Sequence, residues 1–334
     1  MKWSRLFRIA LFTAIGLAFC GSLLGILLTG PIVVVRQPLD LGIDVSPERL
    51  RATVEKLCTE FTPRSYRHVE NLDRAAAWIA EELRAAGLAV EIQEYELDEG
   101  RFRNVIARRP SSDPSKGVVI IGAHYDAYGD FAGADDNASG VAVLLELART
   151  LPDQLPRQGH WFAAFSTEEP PYFRSEEMGS YKLAEKLVSE GTPVDLMVAL
   201  DVVGYYTDEP GSQHFPIKGL NLLYPSRGNF VAVVGDLRSG RWLERVKQGM
   251  RAVETLPVYS FRSPVAWAPV DLSDHWAFRE LGLPGVQVTD TAFMRFPFYH
   301  MAEDTPEKLD YERMAQLVQA LHGVLWERTV DDDS

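Results

Sequence analysis

Residues 118–150 constrain the fold of this chain more than any other stretch. They read VVIIGAHYDAYGDFAGADDNASGVAVLLELART. The uninterrupted apolar run at 118–122 is typical of a buried strand, and the apolar run at 141–151 is typical of a helix. A turn of small residues at 133–140 joins the two. The stretch therefore predicts a strand, a tight turn and a helix in succession.

A histidine and several acids lie at the polar end of this strand and in the turn. Residues i and i+2 of an extended chain share a face, so Asp126 is placed to accept the second ring N–H of His124. This contact would leave the other ring nitrogen free for a metal. Asp135 and Asp136 are adjacent carboxylates in a tight turn, where they repel each other unless a cation neutralises at least one. The pattern indicates a metal site.

Strands and helices alternate along the rest of the chain. This alternation predicts an α/β protein with a mostly parallel mixed sheet and helices on both faces. The long segments 205–229 and 255–272 are predicted to be loops, and we expect them to surround the entrance of a substrate cleft. Helices are predicted at 47–60 behind the capping Ser46 and at 72–86, 178–189, 242–253 and 311–326. Strands are predicted at 90–97, 104–107, 160–165, 196–203, 230–234 and 286–288.

Acids and histidines follow several of these predicted strands. In open α/β sheets ligands bind beyond the carboxyl ends of the strands, so these side chains are expected to converge. Imidazole and carboxylate without thiolate favour zinc, with cobalt or manganese as alternatives. Each residue alone would be an ordinary solvated loop residue, but together they indicate a metal site assembled in space. The set consists of His124, Asp135, Glu168, Glu169, Asp201 and His300.

Six short blocks extend this pattern over most of the chain beyond its N-terminal stretch. They are HYDA at 124–127, GADDNASG at 133–140, STEE at 166–169, LDVVG at 200–204, SDHWAF at 273–278 and YHMAEDT at 299–305. In this order they resemble the zinc aminopeptidases of family M28, whose active sites hold two metal ions. The resemblance implies a phosphorylase/hydrolase-like zinc exopeptidase fold and a peptide or aminoacyl substrate.

The resemblance also implies a role for each metal ligand. The Asp135 carboxylate is expected to bridge two zinc ions. His124 and Asp201 would complete one metal site, and Glu169 and His300 would complete the other. The three carboxylates and a bridging hydroxide would balance the charge of two divalent ions.

Glu168 resembles the general base of the family. It would take a proton from the attacking water and pass it to the leaving amine. The turn that follows departs from the family, because Pro170, Pro171, Tyr172 and Phe173 replace a commoner glycine-rich turn. The loop beside the base is therefore expected to have its own shape, which affects substrate preference more than metal binding.

Four further residues are expected to support the ligands from outside the coordination sphere. Asp126 would orient His124, and Asp136 follows the bridging position, where the family has a cis peptide bond. Asp274 and His275 belong to the SDHWAF block. For these two, a helix cap and a core histidine are equally open interpretations.

Aromatic residues cluster shortly before His300. Phe293, Phe296 and Tyr299 either line a pocket for an apolar N-terminal side chain or pack in the core. Four other histidines match no motif and are expected to be surface or core residues. They are His68, His160, His214 and His322.

The N-terminal stretch predicts a single membrane anchor. Residues 9–35 carry no charge and are long enough for a span, which needs about 20 apolar residues. Lys2, Arg5 and Arg8 precede the stretch, which predicts a cytoplasmic N-terminus and an extracytoplasmic catalytic domain. The expected domains are a cytoplasmic tip and anchor at 1–36, a connector at 37–45 and a zinc peptidase domain at 46–330.

Composition and charge narrow the function further. A net charge of −13 without a basic cluster in the rest of the chain argues against a nucleic-acid partner. Cys20 and Cys58 are not expected to form a disulfide. Two alternatives to a di-zinc aminopeptidase stay open: a single-zinc acyltransferase of the glutaminyl cyclase type, and a non-catalytic binding domain that has kept the fold.

Overall fold

The computed structural model describes residues 2–30, 39–113, 115–253 and 255–325. Its strands are β1 (Ala89–Leu97), β2 (Gly100–Arg109), β3 (Val118–His124), β4 (Gly159–Phe165), β5 (Val194–Leu200), β6 (Val231–Asp236), β7 (Val258–Ser263) and β8 (Gly285–Thr289). Its α-helices are α1 (Lys2–Thr29), α2 (Pro47–Glu60), α3 (Val69–Ala85), α4 (Gly140–Arg149), α5 (Gly179–Glu190), α6 (Gly240–Val253), α7 (His275–Glu280) and α8 (Tyr311–Leu325).

One mixed sheet of eight strands organises the chain, in the order β1-β2-β4-β3-β5-β8-β6-β7. The neighbours β4, β3, β5 and β8 run parallel, so their carboxyl ends meet at one edge of the sheet. Strand β6 runs antiparallel to β8, and β7 runs parallel to β6. The prediction of a mixed sheet with helices on both faces is confirmed, although antiparallel pairs also join β1, β2 and β4.

The predicted elements match the structure to within a few residues, with two exceptions. Strand β7 lies inside the segment 255–272, for which the sequence predicts a loop. Its six residues, VYSFRS, mix apolar and polar side chains, and among the described residues the strand pairs with β6 alone. The short helix α7 was also missed, because its six residues are too few to show a helical period.

The two faces of the sheet are covered differently. Along β6, Val231 and Val233 enter the main core together with residues of α6 and α8. On the opposite face, α5 and α7 cover the half of the sheet that holds β2 to β5. Over β8, β6 and β7 that same face is covered by the segments 205–229 and 264–272, which contain no α-helix. A cavity remains under this irregular cover.

The predicted membrane anchor is not supported. Helix α1 covers part of the stretch, but in the described part of the chain no helix is long and apolar enough to cross a membrane. Residues 31–35 of the predicted span lie outside the described residues, as do the domain boundaries at 36–37 and 330. The domain division and the extracytoplasmic location stay predictions.

A metal centre and an adjoining apolar cavity

His124 is the last residue of β3 and is almost fully buried at the edge where the parallel strands end. Its Nδ1 lies 3.3 Å from Asp126 Oδ1, on the side that the i, i+2 spacing predicts, but the two atoms are not aligned as a hydrogen bond. Its Nε2 lies 3.3 Å from Asp136 Oδ1 and 3.3 Å from Asp201 Oδ1. Asp201 directly follows β5, the neighbouring strand. One ring nitrogen therefore faces a carboxylate that orients it, and the other faces two potential co-ligands.

Asp136 lies in the small-residue turn between β3 and α4, and this turn is held from two sides. The Asp304 carboxylate accepts the backbone N–H of Asp135 at 2.8 Å and that of Asp136 at 3.1 Å. The buried Arg64 guanidinium donates to the carbonyl oxygens of Gly133 and Tyr125, both at 3.0 Å. Since Tyr125 directly follows His124, Arg64 links the strand that carries the histidine to the turn that carries the aspartate.

The structure corrects the expected role of Asp135. The Asp135 Oδ1 accepts the backbone N–H of Gly204 at 2.7 Å, and the side chain adjoins the carboxyl of Asp290, away from the histidines. Asp136 lies between the histidines instead, with Oδ1 toward His124 and Oδ2 2.9 Å from His300 Nε2. The cis peptide bond likewise lies between Asp136 and Asn137, one residue later than expected. Asp136 is therefore the candidate bridging carboxylate.

Glu168 and Glu169 follow β4 and are buried at the same edge of the sheet. The Asp126 carboxylate accepts the backbone N–H of Glu168 at 3.3 Å and that of Glu169 at 3.0 Å, so one acid orients both His124 and this pair. Glu169 Oε1 lies 3.5 Å from His300 Nε2. Glu168 Oε2 lies 3.9 Å from His124 Nε2, beside the cluster.

His300 is held between two aromatic rings. The Tyr128 ring stacks on the imidazole with centroids 4.1 Å apart and planes 4° from parallel. The Tyr299 ring stacks on it at 3.9 Å and 16°. The imidazole plane is therefore fixed, which leaves Nε2 directed at Asp136 and Glu169.

The pKa values of the acids and of His124 at this site are strongly shifted. Burial raises the pKa of Glu168 well above its usual value, and the nearby carboxylates of Asp201 and Glu169 add to the effect although His124 opposes it. Burial and Asp136 raise the pKa of Glu169 to about 8. For His124, burial acts to lower the pKa, but Glu168 and the surrounding aspartates raise it well above its usual value. A buried set of acids this dense calls for cations.

The donor set fits a metal. Ligand atoms of His124, Asp136 and Glu169 lie within 4.8 Å of one another, and all three residues are buried. Glu169 Oε1 is buried and receives no well-aligned hydrogen bond from the described residues, although His300 Nε2 lies 3.5 Å away. Imidazole nitrogen and carboxylate oxygen are the usual ligands of catalytic zinc. Asp201 and His300 extend this triad on its two sides.

The remaining predicted site residues have different fates. Asp274 is buried near His124 and Asp201, and burial raises its pKa to about 7 while His124 acts in the opposite direction. The Nε2 of His275 lies 2.9 Å from the Val270 carbonyl oxygen, so His275 is a core residue at the start of α7.

The other histidines lie outside the cluster, as expected. His68 approaches Asp130 at the surface, and burial lowers the pKa of both His160 and His322 to about 4.

Three residues of the site are not identified by the sequence alone: Asp304, Arg64 and Tyr128. Asp304 belongs to the YHMAEDT block, so its place in this block is the sequence feature that points to it. Tyr128 lies four residues after His124, but no local pattern shows that its ring reaches His300. Arg64 acts through backbone carbonyls of distant segments, and no sequence pattern reveals such contacts.

The cavity over β8, β6 and β7 opens beside Asp201, and its lining is mainly apolar. Phe293 and Tyr299 line it, in agreement with one of the two predicted interpretations. Phe296 does not: it is 1% exposed and packs against Tyr205 and Phe298 in the core. The cavity thus adjoins the metal centre directly through Asp201.

A buried cluster of imidazole and carboxylate donors at the carboxyl ends of a mixed α/β sheet is the arrangement of a metal-dependent hydrolase. The model of peptidase family M28 matches residues 104–325. The uncharacterized protein YfbL of Escherichia coli strain K12 is 40% identical over 289 residues, which cover 84% of this chain and 88% of YfbL. The chain belongs to peptidase family M28, as its sequence blocks predicted.

Solved structures share the fold. BSAP, a zinc aminopeptidase from Bacillus subtilis, superposes with a TM-score of 0.68 at 16% identity. The superposition covers 84% of this chain and 94% of the BSAP chain. The glutaminyl cyclase of Porphyromonas gingivalis superposes with a TM-score of 0.64 at 21% identity and covers 87% of this chain and 99% of its own. At these identities the two structures establish a common fold.

Proposed function

We propose that the chain is a di-zinc aminopeptidase in which Glu168 is the general base. The observation that carries this proposal is the position of Asp136, whose two oxygens face different partners. Oδ1 lies toward His124, which also contacts Asp201, whereas Oδ2 lies toward His300, which also contacts Glu169. A carboxylate with donors on both sides is suited to bridge two ions.

The residues divide the remaining work. When bound, the zinc pair would supply Lewis acidity that polarises the scissile carbonyl and acidifies water. His124 and Asp201 would hold one ion, and Glu169 and His300 the other. The Glu168 carboxylate takes a proton from the attacking water as the C–O bond forms and the carbonyl π bond opens. It then delivers this proton to the amine nitrogen, so that the C–N bond breaks and the carbonyl of the product acid re-forms.

Two features favour cleavage at a free N-terminus. The acids around the cluster offer a negative environment for an ammonium group. The cavity beside Asp201 offers an apolar space for the side chain of the residue that carries this ammonium. The relationship to BSAP, itself a zinc aminopeptidase, is consistent with this specificity.

The proposal is tested by measuring zinc content and hydrolysis of aminoacyl anilides for the full chain and for Glu168→Gln. We expect two zinc ions per chain in both proteins and activity in the wild type alone. Glu176→Gln is the matched control, because it makes the same change at an exposed residue of the following loop, and it should retain activity. Two zinc ions without hydrolysis of any aminoacyl substrate would contradict the aminopeptidase assignment.

A single-zinc glutaminyl cyclase is the second candidate, favoured by the likeness to the Porphyromonas gingivalis enzyme over almost its whole length. This activity would release ammonia from an N-terminal glutamine and form a cyclic product. An assay of a glutaminyl peptide separates the two candidates. The aminopeptidase proposal predicts free glutamine, whereas a cyclase would give a pyroglutamyl peptide and one zinc ion per chain.

A further inference from the structure

Positive backbone φ angles outside glycine are concentrated around the metal centre. This region is unfavourable for a residue with a Cβ, and residues held in it cluster at active sites. Among the described residues the angles lie between 48° and 94°, at Thr167, Arg174, Val202, Thr291, Ala292 and His300. Five of these six directly adjoin the base or a ligand, line the cavity or are themselves a ligand. Arg174, with a φ of 56°, has none of these roles.

Arg174 lies in the loop 170–178, which follows the proposed base and departs from the family in sequence. Its Nη2 lies 2.8 Å from Asp271 Oδ2. Its guanidinium carbon lies 6.0 Å from the centre of the Trp276 ring. An ion pair and an aromatic ring therefore hold the end of a long, flexible side chain in one place.

Both ends of this ion pair lead back to the metal centre. Along the chain, Arg174 follows Glu168 by six residues, and Asp271 precedes Asp274 by three. Asp274 is buried near His124. Since three residues span at most about 11 Å, Asp271 and its guanidinium partner lie close to the centre.

Part of the Arg174 guanidinium is available to a ligand. The Arg174 side chain is 40% exposed, whereas that of Asp271 is 4% exposed. In the described part of the chain, Nε and Nη1 of Arg174 have no hydrogen-bond partner. The planar donor fork of a guanidinium matches a carboxylate, and a fork already held in position loses less freedom on binding.

The proposed reaction places the leaving part of the substrate on this side of the centre. Glu168 delivers its proton to the leaving amine, so the residues after the cleaved bond would extend from Glu168 toward the loop that begins beside it. The acids of the metal centre repel a substrate carboxylate there, and Arg174 offers the opposite charge.

We propose that Arg174 is a specificity-determining residue that binds a carboxylate on the leaving side of the substrate. This proposal rests on the aminopeptidase function. The carboxylate belongs either to an acidic side chain or to the free C-terminus of a short peptide. An extended peptide advances about 3.4 Å per residue, so the carboxylate lies on one of the first three residues after the cleaved bond.

The test compares pairs of substrates that begin with leucine and differ only in one carboxylate. In two pairs with amidated C-termini, glutamate or glutamine is the second or the third residue. In two further pairs, leucylalanine and leucylalanylalanine are compared with their amides. We expect wild-type kcat/KM to be about 3–10-fold higher for the carboxylate in at least one pair, and that pair identifies its source.

Two variants of Arg174 separate carboxylate binding from a merely structural role. Arg174→Gln should lower this ratio to about one or below, because the acids of the centre then repel the carboxylate unopposed. Arg174→Lys keeps the charge without the fork and should keep part of the preference. A general loss of folding would lower kcat/KM for both members of a pair and leave their ratio unchanged.

Arg238→Gln is the matched control. Arg238 is also exposed and paired with a buried acid, since its Nε lies 2.9 Å from Asp236 Oδ2. Asp236 ends β6, which runs antiparallel to β8, so this pair lies at the opposite edge of the sheet from the metal centre. The control should leave the ratio in every pair unchanged.

Salt gives an independent measurement. In about 1 M salt, where the Debye length is about 3 Å, the wild-type ratio should fall toward one. A ratio that salt leaves unchanged would overturn the proposal, as would equal rates within every pair or the same ratio in the wild type and in Arg174→Gln.

Leucine anilide tests the aminopeptidase function separately, because it has no carboxylate on the leaving side. Hydrolysis of the anilide by the wild type without any carboxylate preference would overturn the role of Arg174 alone. No hydrolysis of the anilide or of any peptide would overturn both proposals.

Discussion

The metal centre and the apolar cavity are neighbours that share Asp201, yet the chain builds them in different ways. The centre lies at the carboxyl ends of β3, β4 and β5, where residues from short sequence blocks meet. The cavity lies over β8, β6 and β7, where two irregular segments replace a covering helix. On the proposed function, the centre would determine which reaction is catalysed, and the covering segments would determine which substrates enter.

Loss of the base should give the largest effect and should be confined to the metal centre. We expect Glu168→Gln to lower kcat by about 10²–10⁴-fold, the usual contribution of a positioned general base. The ratio of the KM values for substrates with long and with short side chains should stay the same, because the variant does not change the cavity. Steady-state kinetics on two substrates of different length measure both quantities. A comparable loss in Glu176→Gln would show that the effect is not specific to the base.

The two adjacent aspartates should differ sharply. Asp136→Asn is expected to weaken zinc binding at least about 100-fold, since loss of even an outer partner of a ligand costs 10–100-fold. Asp135→Asn should change zinc affinity less than about tenfold. Its amide oxygen can still accept the Gly204 N–H, so the contact that holds the side chain is kept.

Competition with a zinc-binding dye measures the affinities of both variants. Equal losses at the two positions would contradict the assignment of Asp136 as the bridging carboxylate.

Removal of zinc should destabilise the chain, because the ions neutralise the buried acids around His124. When the free ligand concentration is about 100 times its Kd, binding adds about 2.7 kcal/mol to the free energy of unfolding. A shift of 1 kcal/mol moves the melting temperature of a large domain by about 2–4 °C, so we expect a drop of roughly 5–10 °C. Calorimetry before and after chelation tests this, and added zinc should restore the melting temperature. An unchanged melting temperature would show that the acids need no cation.

The smallest expected effect concerns the aromatic contact on His300. Tyr128→Leu removes the stacked ring, so we expect kcat/KM to fall about 3–10-fold and zinc affinity to fall by a similar factor, within the range of outer partners of a ligand. Tyr128→Phe keeps the ring and should behave as the wild type in both measurements. A loss of the same size in Tyr128→Phe would assign the effect to the hydroxyl instead of the stacking.

The contrast between the metal centre and the cavity also explains which parts of the structure could be predicted from the sequence. Residues at strand ends, such as His124 and Glu169, follow from an apolar run and the polar residue after it. The choice between Asp135 and Asp136 does not, because it depends on the turn that Asp304 and Arg64 hold from distant parts of the chain. Strand β7 and the cover over it depend on tertiary packing, so the cavity could not be foreseen beyond the ambiguous aromatic cluster.

The central claim is that two zinc ions share the Asp136 carboxylate, and anomalous X-ray diffraction at the zinc edge tests it most directly. We expect two peaks about 3.5–4 Å apart, the usual separation in two-metal sites. One peak should lie between Asp136, His124 and Asp201, and the other between Asp136, Glu169 and His300. A single peak, or a pair of peaks that share Asp135 instead of Asp136, would contradict the account.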